Sequence, residues 1–117
     1  MDTKKILIVD DYAANLDYLE LIFKKEGYII ERANNGVEAL EKVKVFMPDL
    51  IVLDNMMPKM SGKELTDILK SNPVYKNIPI IIFSAADNEN LKADDFMSKP
   101  IVMSDLLEKV KAALNKR

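Results

Sequence analysis

Asp10, Asp11, Asp54, Ser84 and Lys99 are the residues of this chain whose types and positions could do chemistry. Each follows or ends a short apolar run. Ile6-Leu7-Ile8-Val9 leads into Asp10-Asp11, Leu50-Ile51-Val52-Leu53 into Asp54, Ile80-Ile81-Ile82-Phe83 into Ser84, and Asp95-Phe96-Met97-Ser98 into Lys99-Pro100. If the runs are parallel strands, three carboxylates, a hydroxyl and an ammonium converge on one edge of a sheet. Such crowding is unfavourable alone, since two unit charges about 4 Å apart repel by roughly 4 kcal/mol at an effective dielectric of about 20. Lys99 would neutralise one charge and a divalent cation the rest. Hard oxygen ligands without histidine favour Mg²⁺ over zinc. A magnesium ion that keeps open positions, beside a lysine and a hydroxyl, suits a phosphoryl group, and a carboxylate not consumed as a ligand can attack phosphorus.

The composition removes most competing chemistries. The 117 residues contain no histidine and no cysteine, which excludes zinc sites built on those ligands, Ser-His-Asp and Cys-His catalysis, iron–sulfur clusters and disulfides. Seventeen basic against nineteen acidic side chains give a formal charge of −2, so bulk electrostatic binding to nucleic acid or to anionic lipid has no support. The first apolar run is too short for a signal-peptide core or a membrane span, and the chain reads as cytoplasmic. Apolar residues at 49% and charged residues at 31% are ordinary for one globular domain of this length.

The elements that must position these side chains follow from periodicity. The β-branched runs at 6–9, 50–53 and 80–83 do not alternate with polar residues, as in strands buried on both faces of a parallel sheet. Tyr28 to Arg32 mixes polar and apolar positions like an edge strand, and Asp95 to Ser98 is a short fifth candidate. Between them the period becomes helical. Tyr12, Leu16, Leu19 and Phe23 form a stripe stopped by Gly27, and Val37, Leu40, Val43 and Met47 one stopped by Pro48. Leu65, Ile68 and Leu69 form a third, and Met103, Leu106, Val110 and Leu114 a last, with Ser104 as its expected N-cap. Strand–helix alternation predicts a doubly wound α/β fold, a parallel sheet with helices on both faces, in one domain. Ligands of such sheets sit beyond the carboxyl ends of the strands.

Taken singly, these residues have plainer readings. Aspartates at strand ends are often turn formers or helix caps, a lone serine is a loop hydroxyl, and a lone lysine is a solvated side chain. Phe96 reads as core on pattern alone, and Asp94-Asp95 as a solvated turn rather than a second metal site. Joint placement at four strand ends is what favours function.

At this point the chain resembles the receiver domain of bacterial two-component response regulators. The resemblance rests on Ile6-Leu7-Ile8-Val9-Asp10-Asp11, Asp49 to Asp54, Met57-Pro58 with Gly62 following, Ile80 to Ala85, and Ala93 to Pro100, and covers essentially the whole chain. It implies a five-stranded parallel sheet of order 2-1-3-4-5, flavodoxin-like, and a single receiver domain over residues 1–117 with no output domain. It implies that Asp54 takes a phosphoryl group from the phosphohistidine of a sensor histidine kinase or phosphotransfer protein. Asp11, Asp10, Asp54 and the backbone carbonyl of Met56 would hold Mg²⁺, and Ser84 and Lys99 would bind phosphoryl oxygens. Ser84 and Phe96 would be the switch residues, and the peptide between Lys99 and Pro100 would be cis.

Two departures from the family pattern stand out. The stretch from Ser84 to Lys99 is shorter than usual, leaving nine residues from Ala85 to Ala93 to cross from the fourth strand to the fifth. A parallel crossover takes about ten to twelve or more. The fourth helix of the fold, the one in that crossover, is therefore expected to be lost or reduced to about one turn, which alters the surface the family uses to report phosphorylation. Met56 and Ala86, each two residues after a site residue, occupy positions that in the family often influence hydrolysis, and neither can act as acid or base, so self-dephosphorylation is expected to be slow or left to a partner. The favoured function is a phosphorylation-dependent switch that signals through an unidentified downstream protein or by onward relay. It is not a turnover enzyme beyond self-phosphorylation and self-dephosphorylation. The alternatives are a receiver-like binding module that works without phosphorylation and a magnesium phosphohydrolase. The latter class places a second carboxylate where this chain has Met56.

Overall fold

The computed structural model describes residues 3–57, 59–84, 93–98 and 101–115. In chain order the elements are β1 (Lys5–Val9), α1 (Ala13–Lys25), β2 (Ile29–Ala33), α2 (Gly36–Phe46), β3 (Leu50–Asp54), α3 (Gly62–Lys70), β4 (Ile80–Ser84), β5 (Asp95–Ser98) and α4 (Met103–Asn115). The strands form one sheet in the order β2-β1-β3-β4-β5. Every neighbouring pair is parallel, with Ile8 opposite Arg32 and Val52, Leu53 opposite Ile82, and Ser84 opposite Ser98. This is the doubly wound α/β arrangement expected from the sequence. Four helices accompany the strands among the described residues. The crossover between β4 and β5, and with it the expected loss of a helix there, lies outside them.

The sheet separates two apolar layers by strand alternation. Ile6, Ile8, Leu50, Val52, Ile81 and Phe83 face Leu16, Leu19 and Phe23 of α1 and Leu106, Val110 and Leu114 of α4. Leu7, Val9, Ile51, Leu53, Ile80 and Ile82 face Ala39 and Val43 of α2 and Leu65 and Leu69 of α3. The central strands are thus apolar on both sides, which explains their unbroken runs. Ile80 and Ile82 of β4 are fully buried.

Several helical stripes sit differently from their sequence reading. Tyr12 is the N-cap of α1 and is exposed rather than part of the buried face. In α2 the buried positions are Gly36, Ala39 and Val43, while Val37 and Met47 are exposed. Small residues win that face because α2 lies close to its neighbours: a Cβ on Gly36 would come within 2.8 Å of Met60 Cβ. In α3 Thr66 is buried and Ile68 exposed, and the Thr66 hydroxyl satisfies itself by donating to the Gly62 carbonyl at 2.7 Å. Ser104 lies inside α4, which starts at Met103, and so is not its N-cap. No helix of the described residues is long and apolar enough to cross a membrane.

Candidate functional site

The carboxyl ends of β1 and β3 lie side by side, because Val9 pairs with Leu53. The residues that follow or end these strands therefore meet. One carboxylate oxygen from each of Asp10, Asp11 and Asp54 can be chosen so that all lie within 4.8 Å of one another. Asp10 and Asp54 are buried and Asp11 is exposed. The cluster thus has a closed floor and one acid at its mouth.

Both oxygens of Asp10 are held. Oδ1 accepts the Tyr12 backbone N–H at 3.0 Å, and Oδ2 accepts the Asn15 side-chain amide at 3.1 Å. Burial pushes the Asp10 carboxyl above its ordinary pKa. The two hydrogen bonds pull it back in part, and the neighbouring charges of Asp54 and Asp11 push it up further. Asn15 was not singled out in the sequence. The available signal was an amide in the first turn of the helix that follows the acidic pair.

The turn after β3 is built to hold Asp54 in place. The Met56 N–H donates to Asp54 Oδ1 at 3.4 Å, a long contact. Asn55 accepts twice, from the Gly62 N–H on its carbonyl at 3.0 Å and from the Lys63 N–H on its side chain at 2.9 Å. Gly62 has to be glycine, since a Cβ there would lie 2.5 Å from Leu53 Cδ1, 2.7 Å from Asn55 Cα and 2.8 Å from the Asp54 carbonyl oxygen. A capping box between Ser61 and Glu64 then starts α3. Met56 itself is 67% exposed.

Of the other expected site residues, Ser84 closes β4 opposite Ser98, which places its backbone at the same edge of the sheet. Its side chain, Lys99 and Pro100 lie outside the described residues, and so does the expected cis peptide. Phe96 is half-buried in β5, opposite Ile82, and packs against the α2–α3 layer, in keeping with its core reading. Asp94 and Asp95 form no second metal cluster among the described residues. Nor are they a merely solvated turn: Asp94 bonds Lys70 and the Ile80 N–H, and Asp95 bonds Lys109.

A partly buried carboxylate cluster with oxygen donors alone can offset its repulsion by binding a hard divalent cation or by protonation, and the donor set fits Mg²⁺. A carboxylate within such a cluster is also a competent nucleophile toward phosphorus.

The chain is similar to known proteins over nearly its whole length. A family model described as the response regulator receiver domain matches residues 6–111. The alkaline phosphatase synthesis transcriptional regulatory protein PhoP of Bacillus subtilis (strain 168) is 38% identical over 120 residues, an alignment covering 97% of this chain and 49% of PhoP. The chain spans about half the length of the first curated relatives it matches. Among solved structures, the receiver domain of a signal transduction histidine kinase from Syntrophus aciditrophicus superimposes with a TM-score of 0.93 at 33% identity, covering 97% of this chain and 92% of that one. The chemotaxis response regulator CheY4 of Vibrio cholerae gives a TM-score of 0.88 at 27% identity, covering 97% and 100%.

Proposed function

The chain belongs to the response regulator receiver domain family of two-component signalling, and from that premise we propose that it is a phosphorylation-dependent switch with Asp54 as phosphoacceptor. The observation that carries the reading is the cluster of Asp10, Asp11 and Asp54, whose oxygens gather within 4.8 Å at the carboxyl edge of the sheet. An Asp54 oxygen attacks the phosphorus of a phosphohistidine on a sensor kinase or phosphotransfer protein. The new O–P bond forms as the N–P bond breaks, and the imidazole nitrogen leaves with the electron pair and takes a proton. These 117 residues contain no histidine, so the phosphohistidine donor lies outside them.

Asp10, Asp11, Asp54 and the Met56 carbonyl would hold Mg²⁺, which when bound supplies positive charge against the oxygens of a transferring phosphoryl group. Within the chain, Tyr12 and Asn15 fix the orientation of Asp10. The Asn55–Gly62 turn fixes that of Asp54. Ser84 and Lys99 would bind the remaining phosphoryl oxygens, and Phe96 would follow Ser84 as the switch. The receiver then acts in the cytoplasm on a downstream protein or passes the group onward.

Incubation with acetyl phosphate and Mg²⁺ followed by intact-mass measurement tests this. A single phosphoryl adduct that disappears in Asp54→Asn and with chelator supports the switch. No adduct in the parent protein would leave a phosphorylation-independent binding module, and steady turnover of a generic phosphate ester would make it a phosphohydrolase.

A further inference from the structure

We infer that Glu31 and Lys42 hold shut the outer edge of β2, at which a second copy of the chain would otherwise add its own β2. β2 ends the sheet, with β1 as its one neighbour among the described strands. Its bonds to β1 fix which way its backbone groups point. The Ile29 N–H donates to the Lys4 carbonyl, and the Ala33 carbonyl accepts the Asp10 N–H. Alternate residues of a strand share a direction, so Ile29, Glu31 and Ala33 face β1, and Ile30 and Arg32 present their N–H and carbonyl groups outward. Both outward groups of Arg32 are taken by side chains of this same chain. Its N–H donates to Glu31 Oε1 at 2.8 Å, and its carbonyl accepts from Lys42 Nζ. Lys42 Nζ also lies 3.3 Å from Glu31 Oε1, so one ion pair joins the two caps. Both side chains are more than a third exposed, where an ion pair adds little to stability, and closing the edge is its larger consequence.

The edge is otherwise suited to pairing with itself. β2 contains neither proline nor glycine, and Ile29 is 47% exposed. Val45, exposed on α2, lines the same groove as Glu31 and Lys42. An antiparallel twofold pairing centred on Ile30 would set Ile30 against its own copy, Ile29 against Glu31 and Tyr28 against Arg32. No like charges meet in that register, whereas centring on Glu31 would oppose two carboxylates. With Arg32 capped, the pair keeps only the two bonds that Ile30 exchanges with its mate, because the bonds of Arg32 are already spent. Two strands held so briefly do not stay together in water.

The inference goes beyond the phosphoryl chemistry and needs none of it, so the test runs on the full chain in chelator without a phosphodonor. The chain has no cysteine, so Ile30→Cys supplies a single thiol at the twofold axis. Facing Cα atoms of a hydrogen-bonded antiparallel pair lie about 5.5 Å apart, within reach of a disulfide. Diamide oxidises two such thiols, taking up their two hydrogens as the S–S bond forms, and non-reducing electrophoresis follows the dimer. Each rate is divided by the same thiol's rate toward iodoacetamide, which removes differences in intrinsic reactivity. Adding Glu31→Thr/Lys42→Ala to Ile30→Cys should speed crosslinking about ten-fold or more, the scale of two restored hydrogen bonds. Equal corrected rates in the two backgrounds would overturn the inference. Amide hydrogen exchange on the parent chain gives a readout that needs no variant. The Arg32 N–H should exchange about ten-fold or more slowly than the outward Ile30 N–H. An Arg32 amide as fast as that of Ile30 would show that the cap is not held in solution, and would overturn the inference equally.

Discussion

Lys70 Nζ lies 2.7 Å from Asp94 Oδ2, and that same oxygen accepts the Ile80 backbone N–H at 2.8 Å. The ammonium also donates to the carbonyls of Lys76 and Ile78, at 3.1 and 3.0 Å. The Asp94 N–H returns a bond to the Ile80 carbonyl at 2.9 Å. The last residue of α3, the approach to β4 and the residue before β5 are thereby tied at one point. This is the corner of the sheet at which the short crossover arrives, and a charged knot closes it.

Breaking that knot should be costly. Lys70 is 17% exposed but Asp94 is 47% exposed, so Lys70→Met strands the Ile78 carbonyl while water can still reach the Asp94 carboxylate. We expect a loss of about 1 kcal/mol in urea unfolding, the scale of one hydrogen bond and a partly exposed ion pair, with phosphoryl uptake at Asp54 retained. Asp94→Asn should cost less, because the amide oxygen still accepts from Ile80. A neutral result for Lys70→Met would show that the corner is held by apolar packing alone.

Gly62→Ala tests the turn that carries Asp54. A methyl group would meet Leu53 Cδ1 at 2.5 Å and, less forgivingly, backbone at Asn55 and Asp54. Overpacking of this kind costs about 1–3 kcal/mol. The displaced turn should also slow acetyl-phosphate labelling by about ten-fold or more, since small misplacements of a reacting group are expensive. Labelling at the parent rate in a destabilised variant would separate the turn from the chemistry.

The parts legible in the sequence are those whose physics is local. Unbroken β-branched runs revealed the doubly buried strands, and their acidic ends marked the convergence of Asp10, Asp11 and Asp54. What escaped depended on approach distances that sequence does not encode. Gly36 and Ala39, not Val37, face the core because α2 sits against Met60. Asn15 and Asp94 are polar residues whose partners, Asp10 and Lys70, are set by helix placement. Asp94 read as part of a solvated turn and Asn15 carried no signal of its own until the tertiary fold supplied the other half of each pair.

Asp10 predicts a stability that depends on pH and cation. Its folded pKa lies above the ordinary value of 3.8, chiefly through burial. The folded state therefore holds the proton more tightly than the unfolded state does. That contribution is complete below 3.8 and is lost as pH rises through the folded value. Asp10→Asn should then be more stable than the parent at pH 7 in chelator, and the gap should close in acid. Adding Mg²⁺ should stabilise the parent and not the variant. Urea melts at pH 7 and in acid, with and without Mg²⁺, check this, and a variant that is weaker throughout would contradict it.

The lifetime of the acyl phosphate is set by how well a water is positioned against it, and Met56 bears on that directly. Its side chain is 67% exposed and follows Asp54 by two residues, on a turn whose N–H already contacts the Asp54 carboxylate. A thioether can neither take a proton from water nor orient it with a strong hydrogen bond. Uncatalysed attack is then the main route of loss, so the label should persist for minutes or longer after acetyl phosphate is removed. Met56→Glu places a carboxylate at the same exposed position. Well-placed general bases are worth about 10²–10⁴-fold, and one introduced without supporting contacts should achieve about ten-fold faster loss. Timed intact-mass measurements on both proteins decide the matter: loss within seconds in the parent, or identical lifetimes in the two, would refute the role assigned to this side chain.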